Sequence, residues 1–309
     1  MNKLDSDNSS GTIITIPYKG HKIDALFYHI VTNSEHVTNK PVILRLHGLL
    51  GNLLDETEHD LPHILAKHGY SSITMNTSLA NLGLFFGFGF FEDVMPQIDA
   101  VCDFLRKVGF QKIVIAGHGV GGCMAIRYGA LRRQQSPNPD ICGVIGIATA
   151  YSLPDTIRKR WERFGGQPSY QDVYEKAKQI FQPLPGKVPL DDETIVVTSA
   201  HGPTRRPEHS EIYTLKTWWA LAGPEAEGPK AHRHIGNISV PILLVHGTKD
   251  ELIDQQEFEA LGNVAKTAGN QDVTMLNLEA GHNLAGKHEE LGQGIVNWLQ
   301  KRCEPRFPV

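Results

Sequence analysis

The sequence predicts an α/β fold in which helices cover both faces of a mostly parallel central sheet. Three observations support this prediction: short apolar runs typical of buried strands, stretches with helical spacing of apolar residues between them, and glycines where those stretches end. The chain has 309 residues, of which 40% are hydrophobic and 21% are charged, as is usual for a globular protein with a substantial core. We therefore expect one large α/β domain that carries an inserted segment.

The expected elements alternate along the chain. A hairpin comes first, because TIITIPY and HKIDALFYHI alternate apolar and polar residues on either side of Lys19-Gly20. Six buried strands are then expected at 41–48, 71–78, 112–118, 143–150, 241–247 and 272–279. Helices are expected in LPHILAKHG, FEDVMPQIDAVCDFLRKVG and VGGCMAIRYGALRR, and Gly69 and Gly109 stand where two of them should end.

Residues 151–238 interrupt this alternation. Their only convincing strand is ETIVVTS at 193–199, and prolines and glycines divide several helix-like stretches, including DTIRKRWERFG, SYQDVYEKAKQIF and YTLKTWWALAG. Such a segment is typical of an insertion that covers a sheet. The predicted organisation is a core in two parts, residues 12–150 and 239–302, with a cap at 151–238.

Composition and motifs exclude several classes of partner and cofactor. The net charge of -4, the pI near 6.4 and the absence of a basic stripe argue against a nucleic-acid ligand, so none is expected. No apolar run approaches the roughly 18 residues of a membrane span, and the polar N-terminus lacks a signal-peptide core. The four cysteines have neither CxxC nor zinc spacing, and G-x-G-x-x-G and P-loop motifs are absent. We expect a cytoplasmic protein that has no membrane partner and binds neither a metal nor an organic cofactor. The sequence leaves its oligomeric state open.

The stretch GHGVGG, at 117–122, follows the apolar run KIVIA and precedes a helix-like stretch. A strand, a sharp glycine turn and a helix form a nucleophile elbow, whose pattern is G-x-S-x-G. Gly119 stands where that pattern has serine. The segment therefore predicts the backbone of an elbow without its nucleophilic side chain.

Three further motifs lie at or just beyond the ends of predicted strands: His47-Gly48 in RLHGLLGN, Asp250 in VHGTKDELI and His282 in LEAGHNL. Taken together with the elbow, and in this order, they resemble the α/β-hydrolase superfamily across residues 12–302. The resemblance implies an α/β-hydrolase fold, which is consistent with the predicted sheet.

The resemblance also implies site roles. Gly119 occupies the nucleophile position, Asp250 is the acid and His282 is the base, while the backbone N–H groups of Leu49 and Val120 form the oxyanion hole. The implied activity is that of a serine esterase or acyl hydrolase, although esterases, thioesterases, lipases and acyl C–C hydrolases share these residues.

Some alternatives stay open near these positions. Glu251 and Asp254 are other candidates for the acid, although Asp250 fits the strand–G-x-x-D pattern better. Cys123, four residues after Gly119, is expected to pack in the core one turn into the predicted helix that follows the elbow rather than to replace the nucleophile.

Gly119 leaves three interpretations. The chain is an inactivated variant of a serine hydrolase, or it is a natural glycine enzyme that uses a His282–Asp250 base dyad for non-covalent hydrolysis, lyase or cyclisation chemistry. The third interpretation is a ligand-binding protein without catalysis that reuses the hydrolase pocket.

Aromatic and aliphatic side chains near these motifs predict an apolar pocket for a small apolar ester or acyl substrate. Glycines alternate with rings in LGLFFGFGFFED, and KTWWALAG in the predicted cap carries adjacent indoles. Because adjacent helical residues point about 100° apart, only one indole is expected to face the site. The expected substrate-binding residues are Leu50, Phe85, Phe86, Phe88, Trp218 and Trp219.

Overall fold

In the computed structural model, the residues described are 11–30, 40–49, 51–81, 89–134, 141–181, 194–197 and 211–304. Their central feature is an eight-stranded sheet with the order β1-β2-β4-β3-β5-β6-β9-β10. The strands are β1 Thr12–Tyr18, β2 His21–Tyr28, β3 Val42–Leu46, β4 Ser72–Met75, β5 Ile113–His118, β6 Ile141–Ile147, β9 Ile242–Gly247 and β10 Val273–Leu278. The first two are antiparallel to their neighbours, and the other six run parallel. The predicted fold class and hairpin are confirmed.

Nine α-helices connect the described strands: α1 Glu56–Lys67, α2 Val94–Val108, α3 Val120–Gln134, α4 Leu153–Arg163, α5 Tyr170–Phe181, α6 Leu215–Ala222, α7 Ala231–His234, α8 Gln255–Thr267 and α9 His288–Arg302. The glycine expected to end α2 does so, because Gly109 adopts the left-handed conformation at φ +113°. Within the described part of the chain, none of the helices has the length and hydropathy that a bilayer span requires.

Residues between β6 and β9 include α4 to α7 and a separate two-stranded antiparallel sheet. This sheet pairs β7 Thr194–Val197, which the sequence predicted, with β8 Glu211–Thr214, which it did not. The strand β8 has only four residues and lies directly before the aromatic helix α6. So short a segment has no recognisable alternation of apolar and polar residues that would predict a strand.

Both faces of the central sheet are buried, as its apolar strands predict. In β5, Ile113 and Ile115 belong to one cluster of buried residues, whereas Val114 and Ala116 belong to the other. Alternate side chains of a strand point to opposite faces, so helices must cover both faces. This arrangement brings the carboxyl ends of β3, β5, β9 and β10, with their polar loops, to one edge.

Glycines allow α3 to approach β5 and β3 closely. A Cβ atom at Gly117 would lie 2.1 Å from the carbonyl oxygen of Gly121, and one at Gly121 would lie 2.2 Å from the carbonyl oxygen of Leu46. Backbone atoms occupy both positions, so a side chain there would push the helix away from the sheet. The glycines of GHGVGG are therefore packing requirements as well as turn residues.

We expect Gly121→Ala to lower the free energy of unfolding by about 3 kcal/mol, since its methyl group must displace backbone atoms. Urea denaturation measures this change. Gly165→Ala is the matched control: Gly165 has φ +64°, and in the part of the chain that the structure describes no atom lies within 4 Å of its Cβ position, so only the conformational cost of about 1 kcal/mol applies. Equal losses in the two variants would contradict the close-packing argument.

Candidate active site

Gly119 forms the sharp turn between β5 and α3, at the carboxyl edge of the sheet. Its φ is +55°, a left-handed conformation that glycine adopts without strain. The backbone N–H of Gly119 donates to the carbonyl oxygen of Ile147 at 2.9 Å, which ties the turn to the end of β6. A Cβ atom at Gly119 would lie 3.6 Å from Nε2 of His282, in ordinary van der Waals contact. The backbone conformation therefore leaves room for a small side chain that points at the imidazole.

His282 and Asp250 lie on neighbouring loops and contact each other directly. Nδ1 of His282 is 2.9 Å from Oδ2 of Asp250, whose side chain is completely buried. Two backbone bonds hold the loops together: Thr248 N–H donates to Leu278 O at 2.8 Å, and Lys249 N–H donates to Ala280 O at 2.9 Å. The parallel pairing of β9 and β10 thus positions an oriented imidazole beside Gly119.

Hydrogen bonds fix both oxygens of the Asp250 carboxylate. Oδ1 accepts from the backbone N–H groups of Leu252 and Ile253, at 2.8 and 3.0 Å, and Oδ2 faces His282. Burial alone would raise the pKa of Asp250, but the hydrogen bonds from His282 and from the two N–H groups outweigh it and lower the pKa below its ordinary value. The group is therefore an ionised acceptor for His282.

The other candidate residues have different partners. Asp254 caps α8 by accepting from the N–H of Glu257 at 2.8 Å. Glu251 accepts a long hydrogen bond from the backbone N–H of His282, at 3.4 Å, and no contact with the imidazole of His282 is seen among the described residues. Cys123 is fully buried and donates to the carbonyl oxygen of Ala150 at 3.7 Å, and burial raises the pKa of its thiol to about 12. The geometry thus favours Asp250 as the partner of His282, and Cys123 lies in the core as expected.

His47 orients the peptide unit that carries the N–H of Leu49. Its Nδ1 donates to the carbonyl oxygen of Gly48 at 2.9 Å, and its Nε2 accepts from the backbone N–H of Thr77 at 3.3 Å. Burial lowers the pKa of His47 to about 4, so the ring is neutral and can fill both roles. Because C=O and N–H point in opposite directions in a trans peptide, fixing the Gly48 carbonyl also fixes the Leu49 N–H.

Val120 begins α3, where the N–H groups have no partner within the helix. The preceding carbonyl, that of Gly119, accepts from the N–H of Gly122 at 3.1 Å. This bond fixes the peptide that carries the Val120 N–H. Leu49 and Val120 both line the same cavity as Gly119 and His282.

His118, the residue before Gly119, connects two of these loops. Its Nε2 donates to the backbone carbonyl of His282 at 3.0 Å, and a Cβ atom at Gly48 would lie 3.1 Å from its Nδ1. Burial and the nearby His282 lower the pKa of His118 to about 4, so the ring stays neutral. His118 therefore holds the His282 loop against the elbow and the Gly48 loop.

The cavity beside Gly119 is mainly apolar, and α4 supplies an important part of its wall. Its lining residues are Leu49, Gly119, Val120, Ala148, Ala150, Leu153, Thr156, Ile157, Arg160, Leu252, Ile253 and His282. Arg160 is buried in this wall and forms an ion pair with Glu211 at 2.6 Å. The site residues predicted from the sequence did not include these α4 residues, although DTIRKRWERFG was predicted to be helix-like.

The structure does not bring the two predicted indoles to the lining of this cavity. Trp218 is fully buried and packs against Trp161 and Tyr170, with ring centroids 6.0 and 5.1 Å apart. Trp219 stacks on Tyr174, with 6.1 Å between ring centroids. These contacts join α6 to α4 and α5. The other predicted wall residues, Leu50, Phe85, Phe86 and Phe88, lie outside the described residues.

The arrangement is suited to acid–base chemistry by side chains. In the described ranges, no group of three or more histidine, cysteine, aspartate or glutamate side chains has the geometry to hold a metal ion. The available groups are an oriented imidazole, a buried carboxylate and two fixed N–H groups around an apolar cavity.

Solved structures with similar folds include hydrolases from several organisms. Est1E from Butyrivibrio proteoclasticus superposes with a TM-score of 0.63 at 16% identity, over 94% of this chain and 98% of that one. The Pyrococcus furiosus esterase Pf2001 gives 0.65 at 14% identity, over 98% and 95% of the chains. The Paleococcus ferrophilus monoacylglycerol lipase gives 0.59 at 19% identity, over 85% and 96%. At these identities, the similarity shows the fold alone.

No curated protein sequence matches the chain significantly. A family model does match it: the Hydrolase_4 family, described as serine aminopeptidase, S33, aligns with residues 40–284. The match includes the loop after β3, the elbow, the inserted segment and the loops that carry Asp250 and His282. The α/β-hydrolase fold that the motifs implied is confirmed, and the chain belongs to the Hydrolase_4 family of α/β-hydrolases.

Proposed function

We propose that this chain carries the site of a serine-type hydrolase of carboxylic esters or related acyl bonds, with glycine at the nucleophile position. The observation that carries the proposal is the position of Gly119: its Cβ site lies 3.6 Å from Nε2 of His282, which is itself bonded to Asp250. A serine hydroxyl built on that Cβ reaches hydrogen-bond distance of Nε2.

In the serine form, the chemistry follows from these positions. Nε2 of His282 takes the proton from the hydroxyl as the oxygen attacks the acyl carbon, and Asp250 stabilises the imidazolium through Nδ1. The N–H groups of Leu49 and Val120 bind the oxyanion, and their orientations are fixed before the substrate arrives. His282 then returns the proton to the leaving group, and water releases the acyl group by the same steps.

The substrate class is proposed from the cavity walls. Leu49, Leu153 and Ile157 provide apolar surface next to Gly119, which favours an apolar acyl group over a sugar or a highly charged substrate. Because α4 belongs to residues 151–238 and covers this cavity, we propose that the segment acts as a cap. We further propose that Leu50, Phe85, Phe86 and Phe88 contribute to substrate binding, as the sequence predicts.

A second candidate activity needs no serine. The space that a serine side chain would fill lies next to Nε2 of His282, so a water molecule or substrate atom can occupy it. His282 and Asp250 then act as a general base dyad on that water. The chain as it stands is active under this mechanism, which separates it from the first proposal.

An alkyl fluorophosphonate, which reacts with activated serines, tests the first proposal directly. We expect Gly119→Ser to gain one covalent phosphonyl group per chain, detected by intact-protein mass spectrometry, because His282 activates the new hydroxyl. Gly119→Ala, which adds the same Cβ without the oxygen, is the matched control and should not react. A folded Gly119→Ser variant that is not labelled would contradict the proposal.

For the location of the protein, we propose a reducing, cytoplasmic compartment. All four cysteines are free thiols, which supports this proposal.

A further inference from the structure

Two of the four cysteines contact each other far from the cavity. Cys142 is the second residue of β6, and Cys303 directly follows α9. The Cys303 thiol donates to the carbonyl oxygen of Cys142 at 3.4 Å, the Cys142 thiol donates to the carbonyl oxygen of Ile113 at 3.5 Å, and the two side chains lie close enough to shift each other's pKa. The two cysteines are thus in contact although 160 residues separate them in the sequence.

This pair differs from the other cysteines in exposure rather than in packing, because Cys303 belongs to the second hydrophobic cluster and Cys142 packs against that cluster. Cys102 and Cys123 are completely buried in the main hydrophobic cluster. Cys142 is instead partly exposed, and Cys303 is buried beneath it. The pair therefore combines one partly exposed cysteine with a second, buried cysteine in contact with it.

The surroundings of Cys142 favour its reactive form. The hydrogen bond from Cys303 lowers the pKa of Cys142; burial opposes this effect, while the ammonium of Lys112 acts in the same direction. Lys112 is held in place because its Nζ donates to the carbonyl oxygen of Cys303 at 2.9 Å. By contrast, the hydrogen bond with Cys142 and burial raise the pKa of Cys303.

We propose that Cys142 and Cys303 are a redox-responsive pair that forms a disulfide by exchange with a low-molecular-weight disulfide such as oxidised glutathione. The Cys142 thiolate attacks one sulfur of the reagent, forms a mixed disulfide and releases one molecule of the free thiol. Cys303 then loses its proton and attacks the Cys142 sulfur, which expels the second molecule of thiol. The protein loses two protons and two electrons, and the reagent gains them.

The expected consequence is a change in stability that leaves the cavity unaltered. The cross-link would close a loop containing the inserted segment, Asp250 and His282, and so would restrict the unfolded chain. Cys142 lies at the amino end of β6, whereas Gly119 follows the carboxyl end of the parallel neighbour β5. The disulfide therefore forms at the edge of the sheet opposite to the proposed active site.

The test is to incubate the purified full-length protein with oxidised glutathione and then measure intact mass, free thiols in denaturant and melting temperature. We expect the mass to fall by two hydrogens without a retained glutathionyl group, and the free thiols to fall from four to two. A disulfide-linked peptide containing residues 142 and 303 should appear after digestion. The melting temperature should rise by roughly 5 °C, and dithiothreitol should reverse each change.

Two variants and a control distinguish this mechanism from general oxidation. Cys303→Ser should stop at the mixed disulfide, so that one glutathionyl group stays on Cys142, and Cys142→Ser should keep its three thiols. Cys102→Ala, which removes a thiol outside the pair, should still form the disulfide. Four unmodified thiols in the original chain, or a stable glutathionyl adduct on it, would overturn the proposal.

Discussion

Gly119→Ser is expected to raise the turnover of a short p-nitrophenyl ester by about 10³-fold or more over the original chain. The rest of the site is already in place: Nδ1 of His282 lies 2.9 Å from Asp250, and the peptides carrying the Leu49 and Val120 N–H groups are fixed by hydrogen bonds. In a serine hydrolase, loss of the nucleophile alone costs about 10⁶ in turnover, so its restoration should recover a large part of that factor.

The substitution also has a stability cost that does not obscure the result. At φ +55° a serine adopts a conformation that costs about 1 kcal/mol more than glycine, but its Cβ meets no atom closer than 3.6 Å. Gly119→Ala carries the same cost without the hydroxyl. Comparing the kcat of the serine and alanine variants at matched folded concentration therefore isolates the contribution of the oxygen atom.

The outcome of this experiment distinguishes the three interpretations of Gly119. A large gain in the serine variant that is absent from Gly119→Ser/His282→Ala supports the serine-type site. Turnover by the original chain that serine does not increase, and that His282→Ala abolishes, would contradict that proposal and support the base dyad. If neither form turns over the ester and Gly119→Ser does not react with the fluorophosphonate, the remaining interpretation is a ligand-binding protein without catalysis.

The sequence predicted the centre of this site better than its walls, for a physical reason. Gly119, Asp250 and His282 each follow a parallel strand of the central sheet, and the parallel pairing of those strands brings the following loops to one edge. The wall is different, because which face of α4 points into the cavity depends on how α4 packs against α6. That packing also explains why Trp218, conspicuous in the sequence, stabilises the inserted segment instead of lining the cavity.

The sequence also did not predict contacts between side chains that lie far apart along the chain. Nothing in the local pattern around Cys142 or Cys303 indicates that their thiols meet, because the contact depends on how α9 ends beside β6. His118 is a related case. Its ring reaches the carbonyl of His282 only because the loops after β5 and β10 meet at the same edge of the sheet.

The second large effect is expected from Asp250→Asn in the Gly119→Ser background, where kcat should fall by about 10⁴-fold. The structure determines how the new amide must orient. Since Oδ1 of Asp250 accepts from the N–H groups of Leu252 and Ile253, the carbonyl oxygen of asparagine should keep that side. Its NH₂ group is then placed 2.9 Å from Nδ1 of His282, where the carboxylate oxygen was.

This orientation makes the imidazole adopt the wrong tautomer. An NH₂ group can only donate to Nδ1, so the ring proton moves to Nε2, and Nε2 loses the lone pair that must accept the serine proton. Glu251→Gln is the matched control, because Glu251 is a neighbouring carboxylate that accepts from the backbone N–H of His282 rather than from its imidazole. It should lower kcat less than tenfold. If Asp250→Asn retained more than a tenth of the kcat while Glu251→Gln abolished it, Glu251 rather than Asp250 would be the functional partner of His282.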